Sequence, residues 1–247
     1  MSGTVGTRRE AVFDRYGFQF DGSNEYFNSG TIFSELDGGT QFTLSMWLKP
    51  TDLISNRIIF HIPRNTTQTN SQVLVWLRTS GQLDISVNVN TQFCRSTTGA
   101  ITAGVWQHLL IAFDLSQAAN DRIRPFVNGV DVFSVANNPV TSFPTSSGAI
   151  YLGEEANGYL APFLGTMDEV ALWVGSNVSS LVNQIYNNGI PTNLNKLSTL
   201  PSHWWRMGDG DTYSSGWNLN DNIGSYDLSS NNMDENNRIE VYVPLTE

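Results

Sequence analysis

Gly165-Thr-Met-Asp-Glu-Val-Ala-Leu-Trp173 reads as a β-strand entered through small residues and closed by an aromatic one. Successive side chains of a strand point to opposite faces. The alternation predicts Met167, Glu169, Ala171 and Trp173 on one face, with Asp168, Val170 and Leu172 on the other. Strands are depleted in Asp and Glu, and a buried carboxylate needs a partner. The acidic pair therefore calls for a sheet-surface position, hydrogen bonds or a metal ion. Its adjacency predicts that the two carboxylates diverge.

The pattern extends on both sides. Tyr16–Asn28 reads as strand, Asp21-Gly22 turn, strand. Phe42–Pro50 alternates between Phe42, Leu44, Met46, Leu48 and Thr43, Ser45, Trp47, Lys49, and Pro50 ends the ladder. Further strands are predicted over Arg57–His61, Gln72–Arg78, Gln82–Asn90, Val105–Asp114, Arg122–Val127, Val130–Val135, Ala149–Gly153, Tyr159–Leu164 and Met167–Val174. Short strands at this spacing belong to a two-sheet sandwich. Asn128-Gly129 is a two-residue hairpin signal.

One helix is predicted over Ser179–Asn188, capped by Ser179 or Ser180, apolar at Leu181, Val182, Ile185 and Tyr186, and stopped by Gly189. After a polar connector, His203–Tyr213 carries a second aromatic cluster, and a last strand is predicted near Ile239–Val243. Residues 1–15, polar and unpatterned, read as an N-terminal arm.

A chain of 247 residues is long enough for one large β domain. Its 40% hydrophobic content supplies a core, and 15% charged residues leave a surface rich in Ser, Thr and Asn, suited to sheets and loops. The net charge of −10 excludes a phosphate-binding stripe and an anionic membrane surface as partners. With one cysteine, Cys94, no intrachain disulfide forms, and a packed strand residue is expected there. His61, His108 and His203 are expected as hydrogen-bonded strand residues. No apolar run approaches the ~18 residues of a membrane helix. Residues 1–10 lack the apolar core of a secretion signal, so synthesis in a cytoplasm is expected.

Four segments occur in an order that resembles laminin G-like, concanavalin A-like sandwich domains over about residues 16–188. They are Phe20–Tyr26, Phe42–Pro50, Trp106–Asp114 with Phe126–Gly129, and Ile150–Gly153 leading to Gly165–Trp173. The resemblance implies an all-β fold: a two-sheet antiparallel jelly-roll sandwich with one short helix, formed as a single domain by residues 16–247. Segments like Trp204–Thr212 and Asp221–Gly224 often precede the Phe-Asp-Gly strand in this family. Here they follow the helix, which implies a permuted layout with 203–247 supplying additional strands. Trp204–Thr212 also resembles segments of laminin G-like structural proteins of bacteriophage particles.

The glycan-cleaving members of the fold need two carboxylates flanking the scissile bond, set on one strand as Glu-x-Asp-x-x-Glu. No such pattern occurs, so a non-enzymatic protein is expected. The family commonly holds calcium where the N-terminal turn meets the closing strand, and the matching positions here are Asp21 and Asp168. Sugar rings stack on aromatic planes while amides and carboxylates take their hydroxyls. Trp217 in its Ser-Ser-Gly loop and one of the neighbours Trp204 and Trp205 are the carbohydrate-binding candidates, with Trp205 grouped with Trp217. Taken together, these features lead to an expected virion structural protein, synthesised in a host cytoplasm. It would contact other particle proteins through the arm or a sandwich face, act in an oligomeric assembly, and adhere to host surface glycans. The alternative is a carbohydrate-binding adhesion module not tied to a virion.

Overall fold

The computed structural model describes residues 14–64, 70–88, 92–155 and 160–241. The predicted arm falls almost wholly outside them, as do the ends of the strands expected at Gln82–Asn90 and Ile239–Val243 and the start of Tyr159–Leu164.

Apolar residues on alternate strand positions leave each sheet one greasy face, and the two faces close on each other. One sheet runs, edge to edge, Val130–Asp131, Ile123–Val127, Gln107–Asp114, Gln41–Pro50, Leu164–Val174, Tyr16–Asp21, Arg238–Glu240. The other runs Phe133–Asn137, Phe93–Ser96, Leu83–Ser86, Ser71–Leu77, Arg57–Pro63, Tyr151–Leu152, Tyr26–Asn28, Leu228–Asn231, Trp217–Leu219, Thr212–Tyr213. Every strand pairing is antiparallel. Between the sheets lie Phe18, Phe20, Phe27, Leu44, Phe60, Val75, Ile111, Leu172 and Trp205, none exposed by more than 1%. Cys94 sits in this core and its Sγ–H donates to the Ile123 carbonyl; burial pushes the thiol up to about 12.

The hairpin turn is where its sequence signal put it, with Val127 paired to Val130 and both Asn128 and Gly129 at positive φ. The helical segment is a 3₁₀ turn at Ser179–Leu181, an α-helix at Val182–Tyr186 and a second 3₁₀ turn at Asn187–Gly189. Its lead-in is tied by Asn177 Oδ1, which accepts from the Ser179 N–H, rather than by a serine cap. Asn187 already turns left-handed, so the α-helix ends at Tyr186, three residues before Gly189. This segment covers the outer face of the first sheet, where Leu110, Ala112, Ala171, Trp173, Val182, Ile185, Leu194 and Trp204 form a second apolar cluster.

The closing strand Leu164–Val174 positions the candidate site, because its two edges differ. One edge pairs with Gln41–Pro50 along its whole length. The other is divided: Tyr16–Asp21 pairs with Leu164–Met167, and His203–Trp205 pairs with Val170–Leu172. Where the partner changes, the strand carries an extra residue, since Asp168 faces Trp47 and Ala171 faces Ser45. Glu169 lies in this bulge with a φ of 48°.

Candidate functional site

The bulge overturns the predicted divergence of the acidic pair. Strict alternation would send Glu169 with Met167 into the core. The extra residue instead resets the period, so Met167, Val170 and Leu172 face inward. Asp168 and Glu169 both turn to the outer seam between the first strand and the C-terminal segment. Asp14, in the lead-in to the first strand, completes a cluster in which one oxygen from each of the three carboxylates lies within 4.8 Å of the others. All three residues are buried, at 8%, 2% and 4% exposure.

The cluster is short of donors. Glu169 Oε2 accepts from the Trp204 indole N–H at 2.6 Å and Oε1 from Arg206 Nε at 3.3 Å. Asp168 Oδ1 accepts from the Glu169 backbone N–H at 2.8 Å. Asp14 has both carboxylate oxygens buried with no hydrogen-bond donor. Burial, with Asp209 beside it, pushes Asp14 up to about 7. Burial and Asp14 push Glu169 up to about 8 against the pull of Arg206. Burial, then Asp14 and Glu169, raises Asp168 well above the usual carboxylate range. The donor set is all oxygen, its acidic members outnumber the one guanidinium, and one member is orphaned. It fits a hard divalent cation.

Asp21, the other expected calcium ligand, is not part of this cluster. It pairs with Leu164, four residues and thus about 13 Å along the strand from Asp168. Its Oδ1 serves its own turn, accepting from the N–H groups of Ser23 and Asn24 at 2.8 and 3.4 Å. Asp14 and Glu169 take the places beside Asp168. Asp14 carried no sequence signal, because only the folded seam brings it there.

The two tryptophans expected to stack on sugar are core residues. Trp217 is 4% exposed, packs edge-on to Phe18 with ring centroids 5.1 Å apart, and donates its indole N–H to the Asp234 carbonyl. Trp205 is fully buried and donates to the Tyr226 carbonyl at 2.7 Å. Trp204 is buried too, on the opposite face of the sheet from Trp205. With a layer of structure on each side, neither neighbour presents a ring to solvent.

The accessible polar groups gather elsewhere. An open groove of about 300 Å³ at the rim is lined by Gln19, Asp21, Glu25, Asn232, Asp234, Asn236 and Asn237. Asp234 caps the short turn that follows it, accepting from the Asn236 N–H, while Asn237 Oδ1 accepts from the Asp234 N–H. Next to Glu25 and Asn232, the partly exposed rings of Tyr26 and Tyr151 lie 5.9 Å apart on the outer face of the second sheet.

The histidines are hydrogen-bonded strand residues. Burial pushes both His61 and His108 down to about 3, and each bonds a serine hydroxyl, Ser71 and Ser45 respectively. His203 lies between Asp221 Oδ2 at 2.6 Å and Glu35 Oε2 at 3.1 Å. Burial works to lower its pKa, but the bonds to the two carboxylates outweigh it and the value is raised.

The family model described as the Concanavalin A-like lectin/glucanases superfamily matches residues 21–177. That is more than half of the chain, and the chain belongs to this family. A Bacteroides ovatus protein assigned to carbohydrate binding has the same fold, with a TM-score of 0.67 at 16% identity over 94% of this chain. This chain spans 62% of that protein's length. The carbohydrate-binding module CBM40 of the Ruminococcus gnavus IT-sialidase, solved with α2,3-sialyllactose, aligns with a TM-score of 0.53 at 13% identity, over 72% of this chain and 98% of the module. Domain 4 of the Geobacillus stearothermophilus arabinanase AbnA, solved with arabinotriose, gives 0.50 at 22% identity, over 69% and 76%. No curated protein sequence matches.

Proposed function

We propose that this chain is a non-catalytic carbohydrate-binding module that takes a glycan in the rim groove. The observation that carries the proposal is the groove's lining of amides and carboxylates beside the Tyr26–Tyr151 pair. Carboxylates and amides gathered at one rim suit sugar hydroxyls, and half-exposed aromatic faces suit the apolar side of a pyranose ring. The glycan-bound CBM40 and AbnA domains support the choice of ligand class. The acids of the seam do not serve as a hydrolytic pair, because at 2% and 4% exposure Asp168 and Glu169 offer no opening to a sugar ring. Calcium, which the family resemblance implies, enters as a structural ion and not as a bridge to sugar, since the acids of the seam are buried.

Glycan-array screening followed by calorimetry tests the site. Sub-millimolar binding that weakens at least tenfold in both Tyr151→Ala and Asn232→Ala is the expected result. Silence across neutral and acidic glycans, or affinity unchanged in both variants, would sink the groove as the site.

We further propose a virion setting for the module, in an assembly with other particle proteins contacted through residues 1–15 or a sandwich face. Its support is the likeness of Trp204–Thr212 to bacteriophage structural proteins. Density for the chain in a native particle, burying about 1,000 Å² or more against a neighbour, is the expected result. A glycan-binding chain that is missing from purified particles would be the adhesion module not tied to a virion.

A further inference from the structure

We propose that His203 is a proton-operated latch: its charged ring holds the turn at residues 35–38 against the C-terminal segment through Glu35, and loss of one ring proton converts that hold into a repulsion. The latch stands apart from glycan recognition at the groove and from the acids of the closing-strand seam.

The hydrogen-bond pattern selects the state of the ring. Asp221 Oδ2 lies 2.6 Å from Nδ1, and Glu35 Oε2 lies 3.1 Å from Nε2. A carboxylate only accepts, whereas a neutral imidazole has one N–H and one bare nitrogen. Both contacts are hydrogen bonds only when both nitrogens carry a proton, so the arrangement calls for the imidazolium. Among the described residues, His203 is also the one cationic partner of either carboxylate. The ring is 3% exposed, so these bonds lie where water weakens them little. Its other neighbours supply no competing positive charge. Phe33 and Trp205 present neutral rings, and Leu172 faces it from the closing strand. Tyr226, edge-on at 5.2 Å, is a phenol whose pKa is raised by burial and then by Glu35. Asp227, which accepts from the Asp221 N–H, adds negative charge on that side.

The two carboxylates are held unequally. The Asp221 side chain is fully buried and also accepts from the N–H groups of Trp204, Ile223, Gly224 and Tyr226, so it keeps its place whatever the ring does. The Glu35 side chain is 39% exposed, and His203 is its one hydrogen-bond partner among the described residues. A deprotonated ring therefore keeps its proton on Nδ1, in the shorter bond, and turns a lone pair toward Glu35 Oε2. Two acceptors then face each other, and the carboxylate has a path to solvent. The movement stays local. Phe33 is buried and its N–H donates to the Gly148 carbonyl, while Asp37 Oδ1 accepts from Gln72 Nε2 and the Ser146 N–H. Between these anchors lie the exposed Ser34 and Glu35, and the Asp37 N–H closes the turn on the Ser34 carbonyl.

The test follows the full chain from about pH 6 upward by ring-nitrogen NMR shifts and amide hydrogen exchange. Expected are protons on both His203 nitrogens at the start and on Nδ1 alone after the ring titrates. With the intrinsic pH dependence of exchange divided out, protection of the Asp37 amide should fall about tenfold across the same titration, the equivalent of one charge-assisted hydrogen bond. The Ser29 amide, bonded to the Ile150 carbonyl, should hold steady. In Glu35→Gln the side-chain amide can accept from Nε2–H or donate to bare Nε2, so Asp37 protection becomes independent of pH and His203 titrates lower than in wild type. Glu35→Ala, with nothing to offer the ring, shows the low protection at every pH. The proposal is overturned if Nε2 carries no proton at the start, or if the ring titrates with no change at Asp37. It is equally overturned if either Glu35 variant keeps the wild-type pH dependence.

Discussion

Asp14 and Asp221 both have buried carboxylates, and these are held in opposite ways. The Asp221 side chain is fully buried, yet it accepts from the backbone N–H groups of Trp204, Ile223, Gly224 and Tyr226 and bonds the His203 ring. Burial works to raise its pKa, but the His203 and backbone bonds outweigh it and the value falls below the usual carboxylate range. Asp14 is buried to a similar degree, has no donor, and is pushed up to about 7. Burial alone therefore does not set the ionisation of an acid in this protein; the supply of donors does. One aspartate is a finished clamp that ties the 221–226 loop to the His203–Trp205 strand, which itself pairs with the closing strand. The other is an open position in a charged seam.

The sharpest way to break this contrast is to remove Asp221. Asp221→Ala leaves the N–H groups of Trp204, Ile223, Gly224 and Tyr226, three of them in buried or half-buried residues, and His203 without their acceptor, and it should cost about 3–5 kcal/mol in urea denaturation. A loss below about 1 kcal/mol would mean that the clamp is not structural. Gly224→Ala attacks the same clamp sterically, because an added Cβ would overlap the His203 ring and the Asp221 carboxylate. A loss of about 1–3 kcal/mol is expected, with the His203 ring signals shifted in an NMR spectrum. At the other aspartate the sign reverses. In chelator, Asp14→Asn should stabilise the protein by about 1 kcal/mol, because it removes an uncompensated buried charge. A clear destabilisation there would show that Asp14 is as well served as Asp221.

The pH profile separates the two regions more gently. Asp221 has a lowered folded-state pKa, so its contribution is present above the ordinary carboxylate value near ~4 and is lost as pH falls through the folded value. His203 has a raised pKa, so its contribution is full below about 6.5 and is lost as pH rises through its folded value. Asp14 and Glu169 have raised values, about 7 and about 8, so without metal the folded chain binds more protons than the unfolded one from near pH ~4 upward. Stability measured in chelator should accordingly decline as pH rises through 7 and 8, and calcium should flatten that decline. A chelator profile that is flat over this range would remove the contrast between the two aspartates.

Much of the architecture was legible in the residues. The alternation in Phe42–Pro50 is the direct imprint of a two-faced sheet, and Asn128-Gly129 supplies the positive φ that a tight hairpin requires. The site was legible only in part. Asp168 stood out because an acid in a closing strand needs a reason to be there. Glu169 stood out with it but was assigned to the wrong face, because alternation assumes an unbroken ladder and Glu169 sits in a bulge; Asp14 carried no signal. The misplacement of Trp217 and Trp205 has a related cause. A loop-like Ser-Ser-Gly context and a Trp-Trp pair suggest exposure, but Trp217 belongs to a strand and Trp204 and Trp205 each have a covering layer.

By itself the sequence determined the two-sheet plan, the turns and the position of the short helical cover, because these follow from short-range periodicity and local backbone preference. Only the tertiary structure decided which acids meet, which tryptophans are hidden and where accessible polar groups collect. Those outcomes depend on one strand edge being shared by Tyr16–Asp21 and His203–Trp205, segments about 180 residues apart in the chain. No local pattern encodes that meeting, since its energy arises from packing and from hydrogen bonds made across it.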